Sequence, residues 1–302
     1  MNLRDLEYLV AVADHGSLRK AAVAAGVSQP TLSAQLKRLE VELGADLLDR
    51  TTTPSGLTPV GEDVVARARR LLQDVDEIRE AARQRPASEA SKLRLGVFPT
   101  LGAYLLPTVL AGVREQFPQV DLLLTERKTT SLVRLLDAGD LDAIVVALPM
   151  ERPDLEVRPL FREDFLLVVP RDHELAGDGP VRAADVLDTE IILLSDGHCL
   201  ADQVTSWLAE VGGRPRLDYR ASSLESLRSM VAAGAGATLL PALALRDPGP
   251  LGSSMVARPV TDPVPSRELA LVWRRGSTRT DLLYRLAEAL VPADSPHVAP
   301  LG

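Results

Sequence analysis

The first fifty residues alternate between apolar positions at helical spacing and short polar breaks. One apolar stripe opens the chain with Leu3, Leu6, Val10 and Ala13. This spacing predicts an amphipathic helix that ends near Gly16. Ser17 is suited to cap a second helix over residues 18–25, and Ser28 a third helix that has Pro30 in its first turn. The sequence therefore opens with three predicted helices.

The third predicted helix has an apolar stripe and a polar side. The stripe consists of Leu32, Leu36, Leu39 and Leu43, and the polar side carries Gln29, Ser33, Gln35, Lys37 and Arg38. Two short helices joined by a tight turn are the parts of a helix-turn-helix, in which amide and hydroxyl groups reach base edges. Lys37, Arg38 and Arg50 suit phosphates. Capped amphipathic helices are common in other proteins too, so the pattern alone leaves both interpretations open.

A longer helix is predicted after a turn-rich segment. Residues 51–57 are rich in Thr, Pro, Ser and Gly and predict a wing between two short strands, after which Thr58 and Pro59 favour a helix start. Apolar residues then recur at spacings of four and three: Val64, Ala68, Leu71, Val75, Ile78 and Ala82. This is typical of a coiled-coil seam and predicts pairing with a second subunit; the alternative is a helix that packs on its own domain. Residues 85–91 have the composition of a linker.

From residue 93 onward, strand-like and helix-like segments alternate. The short apolar runs lie at 93–98, 120–124, 143–147, 165–169 and 191–194. This alternation predicts an α/β domain with mostly parallel sheets. Ligands in such folds bind beyond the carboxyl ends of strands. Thr100, Thr129 and Cys199 each follow one of these runs, so we expect them to line one cleft.

Cys199 is the only cysteine of the 302 residues, and it lies in the segment DGHCLADQ between a strand-like and a helix-like run. A helix N-terminus favours the thiolate, which is the reactive form of the side chain, and the neighbouring His198 can add positive charge or a hydrogen bond. The alternative is a small buried thiol without chemistry, because free cysteines are often buried. The local sequence leaves the two open.

Composition narrows the function classes. The net charge of −8 argues against a broadly basic nucleic-acid binder, so any DNA contact requires basic residues gathered on one surface. No apolar run is long enough to span a membrane and no signal peptide is evident, which predicts a cytoplasmic protein without a membrane partner. One cysteine cannot form an internal disulfide, and the four histidines show no metal-ligand spacing. We expect no cofactor and no metal.

The stretch from Ser17 to Arg50 resembles the winged helix-turn-helix of LysR-type transcriptional regulators. The shared features are the AA pair, the SQPTLS run, the LE pair and the LL-x-R ending. The resemblance implies a regulator that binds a double-stranded DNA operator, assembles as a homodimer or homotetramer and works with RNA polymerase. The residues that it places at DNA are Gln29, Pro30, Thr31, Ser33, Gln35, Lys37, Arg38 and Arg50.

The same resemblance implies the division of the chain. Residues 1–58 are expected to form the winged helix-turn-helix, 59–91 the linker helix and hinge, and 92–302 an effector domain. That domain is expected to consist of two α/β subdomains like those of periplasmic binding proteins. Subdomain I is assigned to about 93–161 and 268–302, and subdomain II to about 162–267.

Further segments resemble the peroxide-sensing branch of this family. They are MNLRDLEYLVAVA, FPTLGAYLLP, DGHCLADQ and RASSLESLRSMVAAGAGATLLPALA. In that branch hydrogen peroxide attacks one cysteine, which then forms a disulfide with a second cysteine nine residues downstream. Cys199 matches the first position, whereas Leu208 occupies the second. The peroxide pocket implied by the resemblance contains Thr100, Thr129, His198, Asp202 and Arg267.

Two other functions remain open at this stage. The first is a LysR-type regulator that binds a small metabolite between its subdomains, with Cys199 as a relic. The second is a thiol peroxidase that carries a DNA-binding domain. The peroxidase is disfavoured because turnover needs a resolving thiol and the sequence contains none.

Overall fold

The computed structural model describes most of the chain in two compact units. The described residues are 1–49, 56–82, 91–195, 199–213, 215–247, 249, 251–293 and 295–301. One unit comprises residues 1–89 together with 133–142, and the other comprises 90–132 together with 143–302. The two units are considered separately below.

Three short helices begin the first unit, as the apolar spacing predicts. They are α1 (Leu3–His15), α2 (Leu18–Ala24) and α3 (Gln29–Leu43). The prediction for the end of α1 is confirmed, because Gly16 lies in the left-handed region at φ 61° and its N–H donates to the Val12 carbonyl. The cap predicted at Ser17 is wrong in its chemistry, since the residue occupies the N-cap position but its side chain makes no capping hydrogen bond.

The fourth helix, α4 (Pro59–Ala82), starts where Thr58 and Pro59 predict. The Thr58 hydroxyl oxygen accepts a hydrogen bond of 3.0 Å from the Gly61 N–H. An antiparallel bridge between Leu48 and Leu57 closes the base of the predicted wing, whose residues 50–55 lie outside the described part of the chain. The core of the unit is made by Leu6, Leu9, Val12, Leu32, Leu36, Leu39, Leu47, Val65 and Ala68.

The predicted coiled-coil seam divides into two parts. Ala68 is buried in the core of its own domain and Val64 packs against that core. Leu71 is 41% exposed and Ile78 is 67% exposed, and the side chain of Ala82 lies outside the described part. The first half of the seam therefore follows the alternative of a helix on its own domain, while the second half leaves apolar side chains uncovered.

Eleven strands and six helices are described in the rest of the chain. The strands are β1 (Ser91–Val97), β2 (Val120–Glu126), β3 (Ala143–Ala147), β4 (Leu155–Pro170), β5 (Val181–Arg182), β6 (Ile191–Leu194), β7 (Pro215–Ala221), β8 (Thr238–Pro241), β9 (Met255–Thr261), β10 (Ser266–Arg274) and β11 (Val298–Pro300). The helices are α5 (Pro99–Gln116), α6 (Thr129–Ala138), α7 (Ala183–Val186), α8 (Cys199–Val211), α9 (Leu224–Ala232) and α10 (Thr280–Ala289). A 3-10 helix, Ala242–Leu245, follows β8.

The sheets are mixed, which corrects the prediction of mostly parallel sheets. β1 pairs in parallel with β2 and β3, and β6 pairs in parallel with β7. However, β10 pairs antiparallel with both β3 and β4, and β4 pairs antiparallel with β8, β9 and β11. The difference arises because the predicted strand at 165–169 is only the end of a 16-residue strand. Its partner β10 runs antiparallel to it.

The subdomain boundaries expected near residues 161 and 267 fall inside β4 and β10. These two strands therefore run through the expected division, and they also form the most extensive strand pair of the domain. Glu163 and Arg267 are directly opposite each other in the pairing of β4 with β10.

Candidate redox site and nucleic-acid interface

Cys199 is the first residue of α8, five positions after the predicted strand β6 ends at Leu194. Its side chain is half-buried. Residues 196–198 lie outside the described part of the chain, so the predicted role of His198 stays a prediction. The placement confirms the expectation of a cysteine between a buried strand and a helix N-terminus.

Thr100 comes to Cys199 from another part of the domain. β1 ends at Val97, and the next helix brings Thr100, only 4% exposed, into its first turn. Thr100 Oγ1 and Cys199 Sγ lie 3.9 Å apart, at a distance at which either group can donate to the other. Thr100 does not cap this helix, because Phe98 occupies the N-cap position.

A fully buried ion pair between Arg267 and Glu163 lies next to Thr100. Arg267 Nε donates to Glu163 Oε2 at 2.8 Å, and Arg267 Nη2 lies 2.7 Å from the same oxygen. Arg267 Nη2 also donates to the Thr100 carbonyl at 3.2 Å. The guanidinium lies over the rings of Phe98 and Phe165, at 5.4 and 5.8 Å from their centroids. Arg267 thus contacts Thr100, whose hydroxyl lies beside the Cys199 sulfur.

The electrostatic balance at the sulfur differs from the one predicted. Burial raises the pKa of Cys199 above its usual value, and this outweighs the lowering by the Arg267 charge, the Thr100 hydroxyl and the Leu200 backbone N–H. The carboxylate of Asp202 raises it further. The helix N-terminus was expected to favour the thiolate, whereas desolvation is the largest influence on the pKa and acts in the opposite direction.

Two buried polar atoms near this site have no hydrogen-bond partner among the described residues. They are Arg267 Nη1 and Gln203 Oε1. Gln203 follows Cys199 by one helical turn, which places both on the same side of α8. A buried donor and a buried acceptor without partners cost free energy and are suited to a small molecule that both donates and accepts. Sequence reasoning missed Gln203, although its spacing of four from Cys199 was visible.

The remaining predicted residues take different places. Thr129 is half-buried at the first position of α6, and within the described contacts no hydrogen bond joins it to Cys199. Asp202 is exposed in the first turn of α8 and acts on the sulfur through its charge. Leu208 is 1% exposed in the hydrophobic core. Nine residues of helix place it about 13.5 Å from Cys199 along the axis.

The polar residues of α3 form two rows rather than one face. At 100° per residue, one row contains Gln29, Ser33 and Lys37, and the other contains Thr31, Gln35 and Arg38. This corrects the prediction of a single polar side. Gln29, Pro30, Thr31, Lys37 and Arg38 are exposed, whereas Ser33 and Gln35 are half-buried. The hydroxyls of Ser28 and Thr31 lie 2.7 Å apart, so Thr31 takes part in the helix cap. Arg50 lies outside the described residues.

A groove in the first unit runs beside the row that contains Ser33 and Lys37. It encloses about 430 Å³ and is lined by Val12, Gly16, Ser17, Leu18, Ser33, Lys37, Glu40, Leu48, Asp49 and Gly56. Glu40, 5% exposed, accepts hydrogen bonds from the backbone N–H groups of Leu47 and Leu48. Lys37 Nζ lies 3.4 Å from Glu40 and 3.6 Å from Asp46. These carboxylates reduce the charge that Lys37 can offer to a phosphate.

Comparison with known proteins identifies the family. The family model described as "Bacterial regulatory helix-turn-helix protein, lysR family" matches residues 3–62, and "LysR substrate binding domain" matches residues 86–294. The "DNA-binding transcriptional dual regulator OxyR" of Escherichia coli K12 is 42% identical over 290 residues, which are 96% of this chain and 95% of the relative. The chain belongs to the OxyR branch of the LysR family. A "Probable hydrogen peroxide-inducible genes activator" of Mycobacterium avium is 38% identical over 93% of this chain and 91% of its own.

Solved structures of the OxyR branch share the fold. "Full-length OxyR C199D" from Pseudomonas aeruginosa has a TM-score of 0.82 at 35% identity, covering 96% of this chain and 97% of that one. An "H2O2-bound" C206S mutant of Corynebacterium glutamicum OxyR has a TM-score of 0.63 at 32% identity, covering 96% and 93%. The LysR-family chain described here therefore has the winged helix-turn-helix and two-subdomain α/β architecture expected from its sequence.

No helix is long and apolar enough to cross a membrane in the part of the chain that the structure describes. No group of three or more His, Cys, Asp or Glu side chains among the same residues is arranged to hold a metal ion.

Proposed function

We propose that this LysR-family protein is a DNA-binding transcriptional regulator of the oxidative-stress response that senses hydrogen peroxide through Cys199. The observation that carries the proposal is the arrangement at the sulfur. Cys199 Sγ lies beside Thr100 Oγ1, and the Thr100 carbonyl accepts a hydrogen bond from the buried Arg267, whose Nη1 has no partner among the described residues. Peroxide can accept from Arg267 Nη1 and donate to Gln203 Oε1.

The proposed reaction begins with loss of the thiol proton. The Cys199 thiolate attacks one peroxide oxygen, the S–O bond forms, and the O–O bond breaks. The departing hydroxide takes up a proton and leaves as water, while sulfur is oxidised to sulfenic acid and the peroxide is reduced. Thr100 and Arg267 stabilise the negative charge that develops on the departing oxygen. Thr129 and His198 complete the pocket in this proposal, and Asp202 tunes the sulfur.

The product of this reaction is a sulfenic acid without an internal partner. Leu208 occupies the position at which relatives are expected to carry a second cysteine, and it is buried in the core. The sulfenic acid then persists, or it joins an outside thiol. The signal is the altered hydrogen bonding of one sulfur, which shifts subunit packing.

The proposal assigns the rest of the chain as follows. Residues 1–58 bind a double-stranded operator, mainly through Gln29, Pro30 and Ser33 with Arg38 and Arg50 at phosphates. Residues 59–91 join subunits into a homodimer or homotetramer, and 92–302 sense the effector. The protein works in the cytoplasm with RNA polymerase and has no enzymatic turnover.

The deciding experiment compares the wild-type protein with Cys199→Ser. Wild-type protein treated with peroxide should gain one oxygen at Cys199. Dimedone should trap this sulfenic acid as an adduct that mass spectrometry detects. Cys199→Ser should abolish peroxide-dependent transcription in cells and leave the operator affinity of the reduced protein unchanged, because the change is remote in sequence from the helix-turn-helix. A full peroxide response in Cys199→Ser cells would reject the proposal. Catalytic peroxide consumption with added thiol would favour a peroxidase instead.

A further inference from the structure

The carboxylate of Glu163 is wholly buried, and its polar partners among the described residues are Arg267 on β10 and the backbone of Leu243. Oε2 accepts from Arg267 Nε and Nη2, and Oε1 accepts from the Leu243 backbone N–H at 2.8 Å. Side chains along this part of β4 alternate, so that Glu163 points inward while Arg162 and Asp164 do not. A fully buried carboxylate is rare unless it is paired. Neither the sequence pattern nor the resemblance singled out this residue.

The pairing fixes which edge of the guanidinium remains open. An arginine has five N–H donors in a rigid fork. Nε and Nη2 face Glu163, Nη2 also reaches the Thr100 carbonyl, and Nη1 is left buried without a partner among the described residues. With Glu163 in place, turning the guanidinium would break the buried ion pair. The open end is thereby held in one orientation beside the residue that contacts Cys199.

We propose that Glu163 is a positioning residue for the peroxide reaction, which acts by holding Arg267 with Nη1 directed to the peroxide oxygen that departs when the O–O bond breaks. This inference rests on the proposed function of Cys199. Glu163 touches neither the sulfur nor the peroxide. It binds Arg267 directly across the β4–β10 pairing and anchors the 3-10 helix that begins at Ala242. Without it, the buried cation loses its counter-charge and turns toward other acceptors.

The test is the rate of Cys199 oxidation by hydrogen peroxide, measured from pH 7 to 11 by rapid quenching with N-ethylmaleimide and intact-mass analysis. The plateau at high pH reports reaction of the thiolate and is independent of the thiol pKa. Glu163→Gln should lower this plateau at least tenfold, to the level of Arg267→Met. The double variant Glu163→Gln, Arg267→Met should fall no further than Arg267→Met, because one residue acts through the other.

Asp164→Asn is the matched control, since it makes the same chemical change one residue along β4, where the side chain faces away from this pair. Its plateau should equal that of the wild type. Should Glu163→Gln fail to fold, Glu163→Asp keeps the charge but withdraws the carboxylate, and its plateau should fall at least threefold. A folded Glu163 variant with a plateau within twofold of wild type, or effects that multiply in the double variant, overturn the inference. Absence of any oxidation in the wild type would overturn the proposed function instead.

Discussion

At the scale of single residues, the structure makes Cys199 a cysteine whose reactivity is restrained. Burial raises its pKa, and the Asp202 carboxylate adds to this effect. The Arg267 charge and the Thr100 hydroxyl work in the opposite direction. Because only the thiolate attacks peroxide, the fraction of reactive protein at neutral pH depends on this balance.

The pH dependence of the thiolate tests these opposing charges. The thiolate absorbance near 240 nm should appear with a midpoint above that of an ordinary thiol, about 8.5. Asp202→Asn should move the midpoint to lower pH, because a negative charge that disfavours the thiolate is removed. Arg267→Met should move it to higher pH, because a favourable positive charge is lost. Shifts in the reverse order would show that the two charges do not act on the sulfur as described.

At the scale of elements, the apolar line of α4 is buried in its first half and exposed in its second half. Ala68 packs into the core of the DNA-binding unit, whereas Leu71 and Ile78 are exposed. The sequence spacing of four and three is uniform and could not distinguish these halves, since both uses of a helix require the same periodicity. Only the packing partner of each residue separates them.

The exposed half of α4 is predicted to hold subunits together. Leu71→Asp combined with Ile78→Asp should release smaller assemblies, measured by light scattering, because charges cannot be buried in an apolar seam. The melting temperature of the helix-turn-helix unit should change little. Arg67→Ala, an exposed change on the same helix that removes no apolar side chain, serves as the control. Unchanged mass in the double variant would mean that these side chains are not an interface.

At the scale of the whole molecule, the net charge of −8 opposes binding to DNA. Binding must therefore depend on a few local contacts on α3, and total charge has little predictive value.

Two sets of variants should separate base contacts from charge. Gln29→Ala with Ser33→Ala should weaken operator binding by roughly 1–3 kcal/mol for each good base contact, with less effect on unrelated DNA. Arg38→Ala should weaken both DNAs and reduce the salt slope by about 1. Arg182→Ala removes the same charge from the exposed surface of the other unit and should leave the slope unchanged. Fluorescence anisotropy at several salt concentrations measures the affinities of the wild type and the three variants for both DNAs. Equal slopes for Arg38→Ala and wild type would contradict the proposed phosphate contact.

The sequence predicted elements better than it predicted their partners. Local spacing predicts the helix starts at Ser28 and Thr58. The rule that ligand-binding residues follow the ends of strands predicts that Thr100 and Cys199 meet. The antiparallel course of β4 and β10 could not be predicted, because a charged segment interrupts the apolar run. The burial of Glu163 against Arg267, 104 positions away, and the desolvation of Cys199 depend on segments distant in the sequence, and local patterns carry no information on such contacts.

The unbroken helix from Cys199 to Val211, with Leu208 in the core, has a consequence for the duration of the signal. In the proposed chemistry, the oxidised sulfur has no route back within the chain, so its lifetime is set by the concentration of the reducing thiol around it. The regulator then works as a timer. Its activation depends on the concentration of peroxide and its deactivation on the concentration of reducing thiol. The length of a response therefore reflects the rate at which the cell restores its reducing thiols.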